Sequence, residues 1–222
     1  RRPPPSPPNT PFTHTSTPYP QPSTPGAPKP AGAAAPGREA GHPPAPGAGG
    51  TPAARRWPTR PEKEEDAAAV HALHAAAFPT KDEARLVDAL RRDPGAWLPG
   101  LSCVAEAPDG SVAAHALLTR CRVGDAPALA LAPVATDPAQ QGRGAGTAVI
   151  RAVLEAARAR GERLVVVLGH PDYYPRFGFV RASAYGIRTS FEVPDEALMA
   201  LVLDGSDEAP GGTIRYPAAF GV

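Results

Sequence analysis

The sequence predicts an α/β domain on a mixed, partly antiparallel sheet flanked by helices, preceded by a disordered extension. Three observations lead there. Residues 1–60 hold 18 of the 31 prolines and no Leu, Ile, Val or Met, so they cannot bury enough apolar area to offset chain entropy. From Glu64 onward, apolar residues recur at helical spacing in some segments and at strand spacing in others. Between residues 127 and 168 an apolar strand, a glycine-rich turn, a helical pattern and a second apolar run stand in series. That is the order of a βαβ unit with parallel strands.

The predicted division is residues 1–59 as a Pro/Ala/Gly/Thr-rich extension and 60–222 as one domain, long enough for a core of its own. Charge divides near the same place: residues 1–60 carry a net +6 and residues 61–222 a net −5. The basic residues of the extension are scattered, which fits a solvated segment and argues against a nucleic-acid partner. No apolar run approaches the roughly 18 residues of a membrane span, and no signal-peptide core is visible, so a cytoplasmic protein is expected. An Arg at position 1 and a single methionine, Met199, point to a processed, truncated or mis-started polypeptide.

Trp57 to Pro61 reads as a short first strand. Glu64 to Phe78 is a helix with Val70, Leu73, His74, Ala77 and Phe78 on one side. Thr80 and Glu83 form the signature of a capping box, starting a helix to about Arg92 that buries Leu86, Val87 and Leu90. Asp93-Pro94-Gly95 stops it. Strands follow at about 101–106, 112–122 and 127–136, the first two joined through Pro108-Asp109-Gly110-Ser111. Pairing 108 with 111 sets Cys103 opposite Ala116 and leaves Cys121 roughly 16 Å away along the strand, beyond disulfide reach. Two free, buried thiols are expected. A helix runs from about Gly144 to Arg160, and Leu164 to Leu168 is a strand buried on both faces. After it, "DYYPRFGFVRASAYGI" suggests a short helix and then two or more strands.

The stretch "QQGRGAG" sits between the third long strand and the helix that follows it. Glycines at a helix N-terminus leave backbone N–H groups exposed, and the helix dipole favours an anion there. Arg143 adds positive charge. The Walker pattern fails, because no Gly-Lys-Ser/Thr follows; the dinucleotide fingerprint fails at its last glycine, where Thr147 stands. On these residues alone, an anion site and a plain tight turn both remain open.

Gln141-x-x-Gly144-x-Gly146 is similar to the pyrophosphate-binding element of the GNAT N-acetyltransferase superfamily. The resemblance extends over about residues 60–222 and includes Tyr174-x-x-x-Gly178-Phe179 downstream. "LGHPDYYPRFGF" and "RYPAAFG" resemble most the YhbS-like bacterial subgroup. The resemblance implies acetyl-CoA as co-substrate, with Gln141, Gly142, Arg143, Gly144, Ala145, Gly146 and Thr147 around its pyrophosphate. It also implies a bulge in the strand holding Pro133, where proline is tolerated at a bulge or an edge. Backbone groups of Val134, Ala135 and Thr136 would then pair with the pantetheine amides.

The reaction implied is direct attack of a neutral amine on the thioester, with Tyr174 as the general acid that protonates the departing thiolate. Tyr173 is the neighbour to distinguish from it, and a purely packing role for Tyr174 is the alternative. For a base, His115 and Glu106 are the candidates, the first more commonly a core residue and the second a solvated one; an ordered water is the third option. His71 and His74 share a helix face without a carboxylate partner, and no His/Cys spacing suits a metal. The expected partner is a small-molecule or protein amine, with no membrane association, and the protein a monomer or homodimer. A non-catalytic acyl-CoA sensor is the competing function. Acceptor choice is assigned to the first two helices, the loop from Asp93 to Leu101, with Trp97 and Leu98 as apolar walls, and the segment from Tyr185 to Val193.

Overall fold

The computed structural model describes residues 57–206 and 208–222. The proposed extension therefore lies, as far as Arg56, outside the described residues. Beyond it the chain runs β1 (Thr59–Pro61), α1 (Ala67–Ala77), α2 (Asp82–Arg91), β2 (Ser102–Glu106), β3 (Val112–Val123) and β4 (Ala126–Thr136). Then come α3 (Ala145–Ala159), β5 (Leu164–Leu168), β6 (Val180–Arg181), β7 (Ile187–Arg188), β8 (Leu198–Val202) and β9 (Gly212–Arg215). The main strand order is β1-β2-β3-β4-β5-β8-β6, with β9 pairing β3 and β7. β4 and β5 are parallel, as the βαβ reading requires, while β1 to β4 are antiparallel neighbours.

Strand alternation decides which helix covers which face. In β3, Ala114, Ala116 and Leu118 pack into the cluster formed with Val149, Ile150, Val153 and Leu154 of α3. Leu117 turns the other way, into the cluster of Val70 from α1 and Val87 and Leu90 from α2. Each of these side chains is buried, and the Val, Leu and Ile among them contribute roughly 1.5–3 kcal/mol apiece before entropy is counted. Trp57 is buried in the α3-side cluster, so the chain joins the core ahead of the first strand.

Cys103 stands opposite Ala116, and both cysteines are free and buried. Burial pushes the Cys103 thiol up to about 11 and that of Cys121 up to about 12. One local expectation fails. The Thr80–Glu83 capping box does not form: Lys81 occupies the cap position, and Thr80 bonds Asp82 instead. Glu83 is buried, and its Oε2 has no partner among the described residues. The short helix expected after β5 is a single 3-10 turn at Tyr174–Phe177, kept short because Pro175 lacks an N–H and Gly178 ends the turn at positive φ.

Candidate functional site

The parallel pairing of β4 with β5 covers only Leu129–Val165 and Ala130–Val166. Beyond it the register between β3 and β4 shifts between Ala116 and Leu118, which places a bulge at Ala132-Pro133. β4 has neighbours on both sides, so Pro133 marks a bulge and not an edge. Val134, Ala135 and Thr136 pair with Ala116, His115 and Ala114 of β3 on one side. On the β5 side they have no strand partner, and the two strands part into a slot.

At the end of the slot the chain turns into α3. Gly142 and Gly144 both have positive φ, 71° and 92°, a region that glycine enters without the penalty of a Cβ. Gly144 is the N-cap of α3, and its carbonyl receives the first helical bond, from the Ala148 N–H. Helix geometry leaves the N–H groups of Ala145, Gly146 and Thr147 without intrahelical acceptors, and these face an anion well. Gly146 is small for a different reason: a Cβ there would lie 2.8 Å from Thr136 Oγ1 and 3.3 Å from the Tyr173 hydroxyl. Gln141 donates to the Thr136 carbonyl at 3.5 Å, and Arg143 is exposed with its guanidinium on Gln140.

The two tyrosines separate cleanly. Tyr173 brings its hydroxyl to the start of α3, beside Gly146, and Arg176 stacks on its ring at 4.5 Å. Tyr174 is 4% exposed and packs edge-on against Phe179. Its ring lies on Gly169 at the end of β5, so closely that a Cβ on Gly169 would sit 2.2 Å from Tyr174 Cε2. Burial pushes the Tyr174 phenol well above the usual range, which keeps it protonated at neutral pH.

The opposite face of β3 holds a buried polar chain. His74 Nε2 lies 2.8 Å from His115 Nδ1, and His115 Nε2 lies 2.8 Å from Ser102 Oγ and 3.2 Å from Glu62 Oε2. Ser102 also donates to Glu62, and Arg91 pairs with Glu62 Oε1. Burial favours the neutral acid, yet the His115 and Ser102 hydrogen bonds and the Arg91 charge hold the Glu62 carboxyl below its ordinary value. With Glu62 ionised, His115 carries its proton on Nε2 and accepts from His74 on Nδ1. Burial drives His74 down to about 2, and its own Nδ1 has no partner.

This network corrects one expectation: His71 does have a carboxylate partner, Asp88 at 2.7 Å, and Asp88 in turn accepts from Arg91. His115 is wholly enclosed, as a core residue, and Glu106 pairs with Arg60 at 2.7 Å while its side chain stays 31% exposed. Trp97 and Leu98 are half-buried and pack against the two core clusters. Trp57 enters the site without a motif to announce it, while Gly169 and Tyr173 lie in the "LGHPDYYPRFGF" block with no role read from it.

A family model described as "Acetyltransferase (GNAT) domain" matches residues 58–182. The chain is 37% identical over 138 residues to an uncharacterized N-acetyltransferase, YjhQ, of Escherichia coli K12, covering 60% of this chain and 75% of the relative. It is 31% identical over 158 residues to the uncharacterized N-acetyltransferase YhbS of the same strain, covering 70% and 93%. Among solved structures, YhbS from Escherichia coli in complex with CoA superposes with a TM-score of 0.70 at 28% identity, over 78% of this chain and 96% of that one. A GNAT family acetyltransferase from Brucella melitensis in complex with acetyl-CoA gives 0.61 at 32% identity, over 74% and 98%.

Proposed function

Because the chain belongs to the GNAT acetyltransferase family, we propose that its domain, residues 60–222, transfers an acetyl group directly from acetyl-CoA to an amine. The observation that carries this reading is the slot between β4 and β5, with a left-handed glycine turn following β4 and a buried phenol packed on Gly169 where β5 ends. The related structures bound to CoA and acetyl-CoA support it. Residues 141–147 hold the pyrophosphate through backbone N–H groups and Arg143. Val134, Ala135 and Thr136 offer their unpaired backbone edge to the pantetheine amides, much as a strand would. The thioester then lies where the strands part, near the end of β5.

The diphosphate comes in on the α3 side, so the amine approaches from the opposite face. An open groove of about 650 Å³ is lined there by residues between 183 and 198, Phe191 among them. Phe191 also borders a tight apolar cleft, about 10 Å³, against Ala130, Ala132, Val166 and Leu168 of the slot walls. An apolar cleft favours the uncharged amine, the nucleophilic form. As the tetrahedral centre collapses, the C–S bond breaks, the Tyr174 hydroxyl gives its proton to the sulfur, and the attacking nitrogen releases one to solvent, from which the phenolate is reprotonated.

The test is a thermal shift with acetyl-CoA followed by thiol release across an amine panel. Stabilisation with turnover is expected; stabilisation with no turnover would favour a binding module. Tyr174→Phe should lower kcat about 100-fold, the low end for a lost general acid, with KM for acetyl-CoA held. Unchanged turnover would remove Tyr174 from the chemistry.

A further inference from the structure

Trp57 reaches across the fold to the glycine turn. Its indole Nε1–H donates to the Arg143 carbonyl oxygen at 2.8 Å, a contact between residues 86 apart in sequence. The ring also covers Gly144, whose hypothetical Cβ would sit 3.8 Å from Nε1 and 3.9 Å from Cδ1. The residue is 8% exposed and anchored among Leu101, Cys103 and Val149. A rigid, buried donor therefore holds one backbone oxygen of an otherwise exposed loop.

The consequence follows from peptide geometry. In a trans peptide the C=O of one residue and the N–H of the next point in opposite directions. The Arg143 carbonyl and the Gly144 N–H share one such plane. Pinning the oxygen inward, on the indole, turns the Gly144 N–H outward, to the side where the free N–H groups of the first turn of α3 collect. Glycine makes this plane easy to rotate, because Gly144 occupies either sign of φ at little cost. Rotated, the same plane would present a carbonyl oxygen to an anion and repel it.

We propose that Trp57 is a positioning residue for the acyl donor: its indole N–H locks the 143–144 peptide plane so that the turn presents donors to the CoA pyrophosphate. The inference rests on the acetyl-CoA reading above and adds to it a residue that lies outside the glycine motif. The role belongs to the N–H and not to the ring alone, which sets it apart from ordinary core packing.

Calorimetric titration with CoA tests it. Trp57→Phe keeps an aromatic ring and removes the donor, and CoA affinity should fall about five- to tenfold, the value of one neutral hydrogen bond. A folded Trp57→Phe that binds CoA as the native chain does would overturn the proposal. The native chain provides a second measurement, should the variant fold poorly. The indole N–H of Trp57, identified by comparison with Trp97→Phe, should exchange with solvent at least tenfold more slowly than that of Trp97 and stay protected with CoA bound. Exchange as fast as that of Trp97, or release of the indole on binding, would also overturn it. Native protein that takes up no CoA at all would instead defeat the acetyl-CoA reading, while the exchange measurement still decides whether the lock exists.

Discussion

On the α3 face of the sheet, polar organisation is a property of the backbone. Two left-handed glycines, a helix N-terminus and an indole-held carbonyl turn N–H groups toward one place. On the α1–α2 face it is a property of side chains. Glu62, Ser102, His115 and His74 come from a loop, two strands and a helix, and they meet where water does not reach. The first arrangement tolerates side-chain changes wherever φ and ψ stay free. The second depends on each charge having its partner, since a buried charge left alone is far more costly than a lost surface contact. The largest expected difference follows. Glu62→Ala, which takes the buried carboxylate from His115 and Ser102 and leaves Arg91 with Asp88 alone, should lower stability to urea by about 2 kcal/mol. Arg143→Ala, on the exposed loop, should stay within about 0.5 kcal/mol. Equal effects would erase the distinction between the two faces.

Acidification probes the same contrast, because the polar chain titrates and the glycine turn does not. Burial holds His74 at about 2 in the folded protein against 6.5 for the free side chain. Between those values the unfolded chain binds a proton there and the folded chain does not, so stability is lost as pH falls below about 6.5. One proton gives a slope of at most about 1.4 kcal/mol per pH unit, hence about 2 kcal/mol between pH 6.5 and 5. Glu62, held below its ordinary value, adds a loss of the same sign at lower pH. Thermal melts across that range should show the decline, and His74→Leu should flatten it. A His74→Leu profile as steep as the native one would place the titrating group elsewhere.

The contrast also explains what could be read in advance. Strand limits, the parallel pairing of β4 with β5 and the start of α3 follow from local patterns: alternation, an apolar run and glycine next to a helix. The slot was legible because Pro133 inside a strand demands a bulge or an edge, and the buried strand at its side argued for the bulge. Contacts between distant residues carry no such mark. Nothing near His74 indicates that His115, 41 residues later, supplies its partner, or that Glu62 completes the chain. Trp57 stands 86 residues from the turn it holds. Thr80 and Glu83 misled in the other direction: the capping pattern is present, yet Lys81 takes the cap position and Thr80 bonds Asp82.

Within the turn itself, two glycines that look alike in the motif are small for different reasons, and this gives the finest test. Gly146 is helical and crowded, with a Cβ destined for Thr136 Oγ1 at 2.8 Å. Gly146→Ala should cost about 1.5 kcal/mol of stability through overpacking, and adding Thr136→Ala, which removes that oxygen, should recover most of it. Gly144 has room but a φ of 92°. Gly144→Ala should cost only about 1 kcal/mol, with no recovery from Thr136→Ala. Its main effect should fall on CoA binding, because the strain is relieved by rotating φ, and that rotation withdraws the N–H groups from the anion. Urea titrations paired with CoA calorimetry separate the two. If Gly144→Ala leaves affinity intact while lowering stability, the left-handed turn serves the fold alone, and the phosphates are held by the helix end without it.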